Sequence, residues 1–312
     1  MAPSSIFADR RALVGFATLC CLLWGSAVPA VKLGYGLIGI ASGDTASLLL
    51  FAGLRFALAG LLLLAYGLLT RRPIALAPRR LGQVALLGLG QTVLQYICYY
   101  VGLAHTTAVK TSILSSTLVF FSVLLAHLIY PDDRLNGRKA LGCLIGFAGV
   151  VAVNFAAGSL DIHFSLLGEG LLLVSTFAGS AAAIYGRRLS QQMDATVMTG
   201  WQLLIGGAVL TAMGLAGGGH FAAFGAAAAA LMLYLAAVSA VAFALWSLLL
   251  RHNAVGRVAV FNFEIPIFGA LLAALVLGES VLEWKNLVAL LLVSVGIYLV
   301  TTRGRTAAAV SP

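Results

Sequence analysis

Charged side chains inside long apolar runs are the first candidates for chemistry in this sequence. Arg55 lies well inside one run, and Glu264 lies in another, beside Asn262 and two residues before Pro266. A guanidinium at such a place could bind a substrate carboxylate bidentately, and a carboxylate could take an ammonium or a coupling proton. A proline also frees a backbone carbonyl one turn earlier, which would add an acceptor near Glu264. The structural alternatives are a snorkelling or paired Arg55, and an internal pair of Glu264 with Arg55 or Lys110.

Polar side chains at helical spacing form a second set of candidates. Gln91, Gln95 and Tyr99 recur every four residues, so they share one helix face, which predicts the polar lining of a cavity. Hydrogen bonds between packed helices are the alternative. Ser116 shares a face with Ser112, and for these serines cavity lining and close helix packing remain equally open.

Four further residues stand out by their position within the apolar runs. Tryptophan usually anchors at a membrane interface, but Trp24 is near the middle of its run, which favours a place in a cavity wall. Trp246 lies nearer the end of its run, so either role fits it. Pro29 predicts a break in the first helix. Glu169 begins another run, as a helix-start carboxylate near the interface would.

The elements that carry these residues follow from composition. The chain has 312 residues, of which 61% are hydrophobic and 9% charged, with a mean hydropathy of +1.04. So few charges cannot cover a soluble protein of this size, and the continuous apolar runs have the length of membrane-spanning helices. The sequence therefore predicts an all-α polytopic membrane protein. Its ten transmembrane helices are expected near residues 12–33, 46–69, 81–103, 107–130, 139–156, 165–186, 195–216, 226–250, 257–277 and 285–302.

The basic residues predict the orientation of these helices. With ten spans, fifteen of the nineteen Lys and Arg residues fall on the side of the N-terminus and three on the opposite side, while Arg55 lies inside a span. This asymmetry places both termini in the cytoplasm. The basic residues form no stripe with interleaved aromatics, so we expect no binding of nucleic acid.

An internal repeat relates the two halves of the chain. A shift of 147 residues aligns Gly53 with Gly200 and Gly60 with Gly207, and it also pairs His105 with His252. Each copy would hold five spans, the first within residues 1–156 and the second within 157–312. Because five is odd, the second copy would be inverted in the membrane, an arrangement typical of alternating-access transporters.

Several motifs together resemble the EamA-type exporters of the drug/metabolite transporter superfamily. They are Trp24-Gly25 followed by Lys32, Arg55 with small residues after it, Pro266-Ile267-Phe268, Leu277-Gly278-Glu279 and Gly296-Ile297. The first repeat departs from this pattern, with Val119 in the place of Pro266 and Pro131-Asp132 where the family tends to have Gly-Glu.

The resemblance implies export of amino acids or related small metabolites across a bacterial inner membrane. The ten-span exporters of aromatic amino acids are the most similar in plan. The expected partners are a small-molecule substrate and the lipid bilayer, with a monomer favoured over a dimer.

Motifs for other chemistry are absent from the sequence. It has no phosphate-binding Walker loop and no HExxH, and its four cysteines lack metal-ligand spacing. We therefore expect no cofactor, no metal, no catalytic residue and no enzyme activity; a passive channel or facilitator and an intramembrane enzyme are the alternatives. The predicted substrate-binding residues are Trp24, Gln91, Gln95, Tyr99, Ser116, Trp246, Asn262 and Glu264, with Arg55 and Glu264 as charge partners or coupling groups.

Overall fold

The computed structural model describes residues 6–41, 43–106, 108–155, 164–277 and 284–302, and these parts of the chain are helical. Short π-helical turns join α3 to α4 and begin α8, and a 3₁₀ turn joins α11 to α12. The helices are α1 (Arg10–Ile38), α2 (Thr45–Leu69), α3 (Pro78–Gly88), α4 (Gln95–Ala104), α5 (Ala108–Ser115), α6 (Thr117–Ile129), α7 (Gly137–Phe155), α8 (Leu171–Ser190), α9 (Ala195–Ala216), α10 (Ala226–His252), α11 (Val255–Ala259), α12 (Glu264–Leu277) and α13 (Trp284–Thr301).

Eight helical segments in the described residues are long and apolar enough to cross a membrane. The predicted all-helical, multi-pass membrane protein is thereby confirmed. The helices α7 and α13 occupy the predicted fifth and tenth spans, but neither is among the eight, so the number ten stays a prediction. The eight segments are Arg10–Ile38, Thr45–Leu69, Pro78–Ala104, Lys110–Ile129, Leu166–Ser190, Ala195–Ala216, Ala226–His252 and Val255–Leu272. The predicted boundary at residues 156 and 157, and the motif residues Gly278 and Glu279, lie outside the described residues.

Carboxylates cap the N-termini of three long helices. Asp9 accepts hydrogen bonds from the first amides of α1, Asp44 from an amide of α2, and Asp194 from two amides of α9. Each cap satisfies backbone donors that a helix cannot pair internally. Gly39 ends α1 with φ 71°, a left-handed conformation that favours glycine. The connections between spans are thus fixed locally, by residues adjacent to the apolar runs.

Four predicted spans are less regular than their hydropathy suggests, and the first is more regular than expected. The third and sixth contain the π-helical turns Leu89–Leu94 and Leu166–Gly170. The predicted fourth span is divided at Ser116 between α5 and α6, and the predicted ninth span contains the 3₁₀ turn Val260–Phe263. The expected break at Pro29 is wrong, because α1 runs continuously through it. Hydropathy measures whether a segment prefers lipid, and it does not detect a local change in hydrogen bonding.

Glycines bring α2 and α9 into close contact. A Cβ atom added to Gly60 would lie 2.4 Å from the Leu204 amide nitrogen, and one added to Gly207 would lie 2.3 Å from the Ala57 amide nitrogen. Only glycine therefore fits at either position. Residues 60 and 207, and likewise 57 and 204, are 147 positions apart, so the two contacts correspond under the shift found in the sequence.

The same correspondence holds where α7 packs along α13. A Cβ on Gly149 would lie 3.0 Å from the carbonyl oxygen of Ala289, and a Cβ on Gly296 would lie 2.6 Å from the carbonyl oxygen of Gly142. These residues are again related by a shift of 147. Contacts with this reciprocity arise when two similar units face each other across a two-fold axis.

Candidate substrate site

Among the acidic residues that the structure describes, Glu264 is the one that neither caps a helix nor forms an ion pair. The chain has ten acidic residues, of which Asp161, Glu279 and Glu283 lie outside the described residues. Of the other seven, three are the helix caps described above, and three form the ion pairs Asp132–Arg187, Asp133–Lys139 and Glu169–Lys110. Within the part of the chain that the structure describes, Glu264 has neither a basic partner nor a backbone amide to cap.

The environment of Glu264 leaves one of its oxygens unsatisfied. The Thr18 hydroxyl of α1 donates to Oε1 at 3.2 Å, whereas Oε2 is buried and has no hydrogen-bond partner in the described chain. Cys21, also on α1, is in electrostatic range of this carboxyl group. A buried, unpartnered carboxylate oxygen at membrane depth is costly, so such a group binds a proton or a cation readily.

Arg55 is the second charged group at membrane depth. It lies on α2 and is 7% exposed, and its guanidinium carbon is 4.4 Å from the centre of the Phe56 ring. The side chains of Tyr35 and Tyr96 are in electrostatic range of the guanidinium. Its Nε is buried without a hydrogen-bond partner, and no carboxylate of the described residues lies within ion-pairing distance of it. Arg55 thus retains the capacity to bind an anion.

Rings from four helices form a continuous cluster next to Arg55. Trp24 contacts Trp246 and Phe243 with centroid distances of 5.1 and 5.3 Å, and Phe56 contacts Phe243 at 6.1 Å and Tyr96 at 4.6 Å. Most of these contacts are edge-to-face, the arrangement that aromatic rings prefer. The aromatic cluster, as we call it, consists of Trp24 on α1, Phe56 on α2, Tyr96, Tyr99 and Tyr100 on α4, and Phe243 and Trp246 on α10.

Four members of the aromatic cluster occupy corresponding positions in the two halves. Tyr96 corresponds to Phe243, and Tyr99 to Trp246, under the shift of 147 residues. Both halves therefore contribute a pair of rings, three residues apart, to one place. The first half contributes two tyrosines, Tyr96 and Tyr99, and the second half contributes Phe243 and Trp246 at the corresponding positions. The two halves thus place rings of different polarity at matching positions.

The helix α1 connects the aromatic cluster to Glu264. Thr18, which donates to Glu264, and Trp24 are six residues apart on α1, which is about 9 Å along a helix. Between them, the thiol of Cys20 donates to the carbonyl of Ala242 in α10, and that of Cys21 donates to the carbonyl of Phe261. A change at Glu264 can thus reach the rings through a single helix.

The three residues of the predicted polar stripe, Gln91, Gln95 and Tyr99, have different surroundings in the structure. Tyr99 belongs to the aromatic cluster, and its place in a cavity wall stays a prediction. The carboxamide of Gln95 instead packs against Gly179 of α8, and the Ser175 hydroxyl donates to the Gln95 carbonyl at 2.8 Å. Gln91 is half-buried in the π-helical turn and is in no ring contact. A role of these two amides in binding stays a prediction.

Ser116 and Asn262 form hydrogen bonds within their own segments. The Ser116 hydroxyl donates to the carbonyl of Ile113 at 2.6 Å, at the break between α5 and α6. The Asn262 amide donates to the carbonyl of Ala259 at 2.9 Å, inside the 3₁₀ turn before Glu264. Both bonds stabilise irregular backbone, so the structure adds no support to substrate contacts by these side chains, which remain predictions.

Neither internal ion pair considered for Glu264 is present. Lys110 pairs with Glu169 at 3.0 Å, and Glu169 also accepts from Thr106 and from the Ser165 amide. The interpretation of Glu169 as a helix-start carboxylate is thereby confirmed.

Sequence reasoning missed four aromatic residues of the site. They are Phe56, Tyr96, Tyr100 and Phe243, which are ordinary core residues by composition alone. The repeat offered a signal for two of them, because Tyr96 and Phe243 correspond under the 147-residue shift.

Buried charges and polar rings enclosed by many apolar spans are characteristic of multi-pass membrane proteins that handle small molecules. The chain belongs to the EamA-like transporter family, whose model matches residues 12–155 and 166–302. It is thus a transporter of the drug/metabolite transporter superfamily, as its motifs suggested.

Named relatives and a solved structure agree with this assignment. An uncharacterized transporter of Archaeoglobus fulgidus is 27% identical over 289 residues, covering 91% of this chain and 96% of the relative. A probable amino-acid metabolite efflux pump of Salmonella typhimurium is 24% identical over 293 residues, covering 91% and 92%. A solved crystal structure with 19% identity has a TM-score of 0.76 and covers 94% of this chain and 97% of that chain, which shows a common fold.

Proposed function

We propose that this transporter exports amino acids or related small metabolites across the bacterial inner membrane, with aromatic amino acids as the first candidates. The observation that carries the proposal is the buried Arg55, without a carboxylate partner among the described residues, beside the aromatic cluster. An aromatic amino acid has a carboxylate and a ring, which complement these two features. The printed name of the Salmonella typhimurium relative is consistent with a substrate of this class.

Arg55 and the aromatic cluster would hold different parts of the substrate. The guanidinium would bind the carboxylate, while Trp24, Tyr99 and Trp246 would contact the side chain. Edge-to-face ring contacts contribute about 0.5–1.5 kcal/mol each. Several such contacts allow weak, reversible binding, which suits a carrier that must release its substrate.

The architecture we propose is ten spans in two inverted repeats, residues 1–156 and 157–312, with both termini in the cytoplasm. The reciprocal glycine contacts of α2 with α9, and of α7 with α13, support the repeat. So do the two stretches over which the family model matches. The fifteen-to-three distribution of basic residues supports the orientation. Two inverted units can exchange conformations, which opens the site to each side in turn.

The first test is flux of radiolabelled phenylalanine, alanine and lysine in proteoliposomes that contain only this protein. A carrier should give saturable flux and counterflow, in which unlabelled substrate on one side accelerates movement of label from the other. We expect counterflow with phenylalanine above that with alanine or lysine. Flux that rises linearly with concentration, without counterflow, would indicate a passive channel instead. No flux of any of the three would contradict the amino-acid proposal.

Replacing Arg55 with glutamine should weaken binding of carboxylate substrates selectively. The loss of a charge-assisted hydrogen bond costs about 1.5–3 kcal/mol, which is roughly a 10- to 100-fold rise in KM. The measurement is counterflow of phenylalanine compared with efflux of phenylethylamine, which lacks the carboxylate. The KM of phenylethylamine should change less than about threefold, since this amine has no carboxylate and makes no ion pair that the substitution could remove.

Arg79→Gln is the matched control for charge. Arg79 is exposed in the first turn of α3, ahead of the predicted third span at 81–103, and is replaced by the same residue. Its KM for phenylalanine should equal that of the unmodified protein. If Arg55→Gln is monodisperse and transports phenylalanine with an unchanged KM, the carboxylate role of Arg55 is wrong.

A further inference from the structure

A basic cavity of about 460 Å³ lies away from the aromatic cluster, at the ends of several helices. Its walls are the segment from Pro131 to Lys139, the junction of α10 with α11, and the end of α13. The charged residues of its lining are Arg134, Arg138, Lys139, Arg257 and Asp132. The cavity thus has four basic groups and one acidic group, an excess that the transport mechanism above does not use.

Two of these four basic groups, Arg134 and Arg138, have no acidic partner among the residues that the structure describes. Lys139 is paired with Asp133 at 2.6 Å. Arg138 donates to the neutral hydroxyl of Thr302 at 2.5 Å, so its charge is not neutralised. Arg134 is exposed at the mouth. Asp132, the acid in the lining, lies 3.4 Å from Arg187 and is therefore shared with a further cation.

Arg187, close to this region, is a further cation whose donors the described protein groups do not fully satisfy. Its side chain is stacked on Tyr130, with the guanidinium carbon 4.2 Å from the ring centre. It is 8% exposed, and its Nε and Nη1 are buried without a hydrogen-bond partner among the described residues. Buried arginine donors are normally satisfied. Asp132 is thus the acidic residue that both Arg187 and the basic cavity share, and Arg187 has donors that remain unsatisfied.

The cavity lies where helices enter and leave the apolar layer. The helix α7 begins at Gly137 and α13 ends at Thr301, both at the cavity. Leu141 and Leu144 of α7 and Tyr298 of α13 are more than half exposed, so an apolar surface continues along these helices. Basic pockets between helices at this level bind phosphate-bearing headgroups, whose acyl chains follow such a surface.

We propose that the basic cavity binds a phosphate group, supplied by an anionic phospholipid headgroup or by a free phosphate anion. Arg134 and Arg138 hold it, because their planar donors match phosphate oxygens bidentately. Lys139 and Arg257 line the same cavity. The occupant ties the segment between α6 and α7 to the ends of α10 and α13. This inference is independent of the proposed substrate.

The test measures thermal unfolding of the full chain in detergent during titration with four probes. They are cardiolipin, phosphatidylcholine, inorganic phosphate, and sodium chloride at the ionic strength of the phosphate. Cardiolipin alone raising the Tm in a saturable manner identifies a lipid headgroup, and phosphate doing so identifies a free anion. Chloride should have no such effect. Equal stabilisation by cardiolipin and phosphatidylcholine, with no effect of phosphate, would overturn the proposal.

The double variant Arg134→Gln, Arg138→Gln locates the site. It should bind the stabilising probe at least about tenfold more weakly than the unmodified chain, since two charged contacts are lost. The matched control is Arg79→Gln, Arg80→Gln, in which one residue is likewise exposed and the other bonds to a neutral side chain, Gln192. The control should bind within about twofold of the unmodified chain.

A single variant covers the case in which the double variant fails to fold. The side chain of Arg134 is exposed and forms no hydrogen bond or ion pair within the described residues, and the carbonyl that accepts from Lys139 is retained in Arg134→Gln. This variant should therefore unfold at the same temperature as the unmodified chain without a probe. Its affinity for the probe should fall by at least about threefold. Unchanged affinity in Arg134→Gln and in any folded double variant would overturn the proposal.

Discussion

Glu264→Gln is expected to abolish the effect of a proton gradient on transport while leaving substrate exchange intact. Glutamine has nearly the shape of glutamate and can keep the hydrogen bond with Thr18. It cannot bind and release a proton, however. Because Glu264 is the described acidic residue without a cap or an ion pair, no other described carboxylate at this depth can replace it. Gradient-driven accumulation should fall at least about tenfold, to the level of vesicles without a gradient.

The physical basis is the contact between Glu264 and α1. When the carboxyl group gains or loses a proton, its bond with Thr18 and the cost of its unpartnered oxygen both change. The same helix carries Trp24, so we expect the packing of the aromatic cluster to respond to the charge state of Glu264. A local change of charge can thus bias an alternating element, as in other protonation switches.

The measurement compares accumulation and counterflow of phenylalanine in the same vesicles, over a range of pH. Glu264→Gln should show counterflow that is independent of pH, whereas the unmodified protein should not. Glu264→Asp is the rescue variant, because it restores a titratable carboxyl group at the same position. If Glu264→Gln retains the pH profile and the gradient-driven accumulation, coupling through Glu264 is wrong and transport down the substrate gradient becomes the better explanation.

The membrane-spanning helices could be predicted from the sequence because lipid imposes one strong constraint. A segment that crosses the apolar layer must pair its own backbone and expose apolar side chains, and both requirements are visible as hydropathy over a fixed length. The interruption at Ser116 and the 3₁₀ turn before Glu264 are not visible in that way. They depend on hydrogen bonds of single side chains, whose alternatives differ by little free energy.

The site was predicted in part, for a reason that particular residues make clear. Trp24 was found because tryptophan in the middle of an apolar run is unusual, and Trp246 was included as a tryptophan nearer the end of its run, where either role fits. Phe56 and Phe243 were missed, since phenylalanine in such a run is typical of any core. Gln95 was placed on the correct helix, but periodicity fixes only the shared face and not the helix that this face meets. Its amide meets Gly179 of α8 rather than the aromatic cluster.

Gly207→Ala should destabilise the fold strongly, because it adds an atom where two backbones touch. The new Cβ would lie 2.3 Å from the amide nitrogen of Ala57 and 2.7 Å from the carbonyl oxygen of Gly53. Neither backbone atom can rotate away, so α2 and α9 must separate along their contact. Overpacking of this kind costs about 1–3 kcal/mol. A large fall in Tm, or loss of monodisperse protein, is the expected result in detergent.

Gly15→Ala is the matched control, since it is the same substitution in a helix but with no atom within 4 Å of the new Cβ. It should leave the Tm unchanged or raise it slightly, because alanine favours the helix by about 0.5–1 kcal/mol. If Gly207→Ala behaves like Gly15→Ala, the close approach of α2 to α9 is wrong.

Gly60→Ala extends the prediction to the repeat itself. Its Cβ would meet the Leu204 amide nitrogen at 2.4 Å, the counterpart of the contact between Gly207 and Ala57. The two single variants should therefore lose similar stability. Because separation of the same two helices relieves both clashes, the double variant should lose less than the sum of the single losses. Strictly additive losses of stability would mean that each clash is relieved by its own local shift. Separation of α2 from α9 as whole helices would then be wrong.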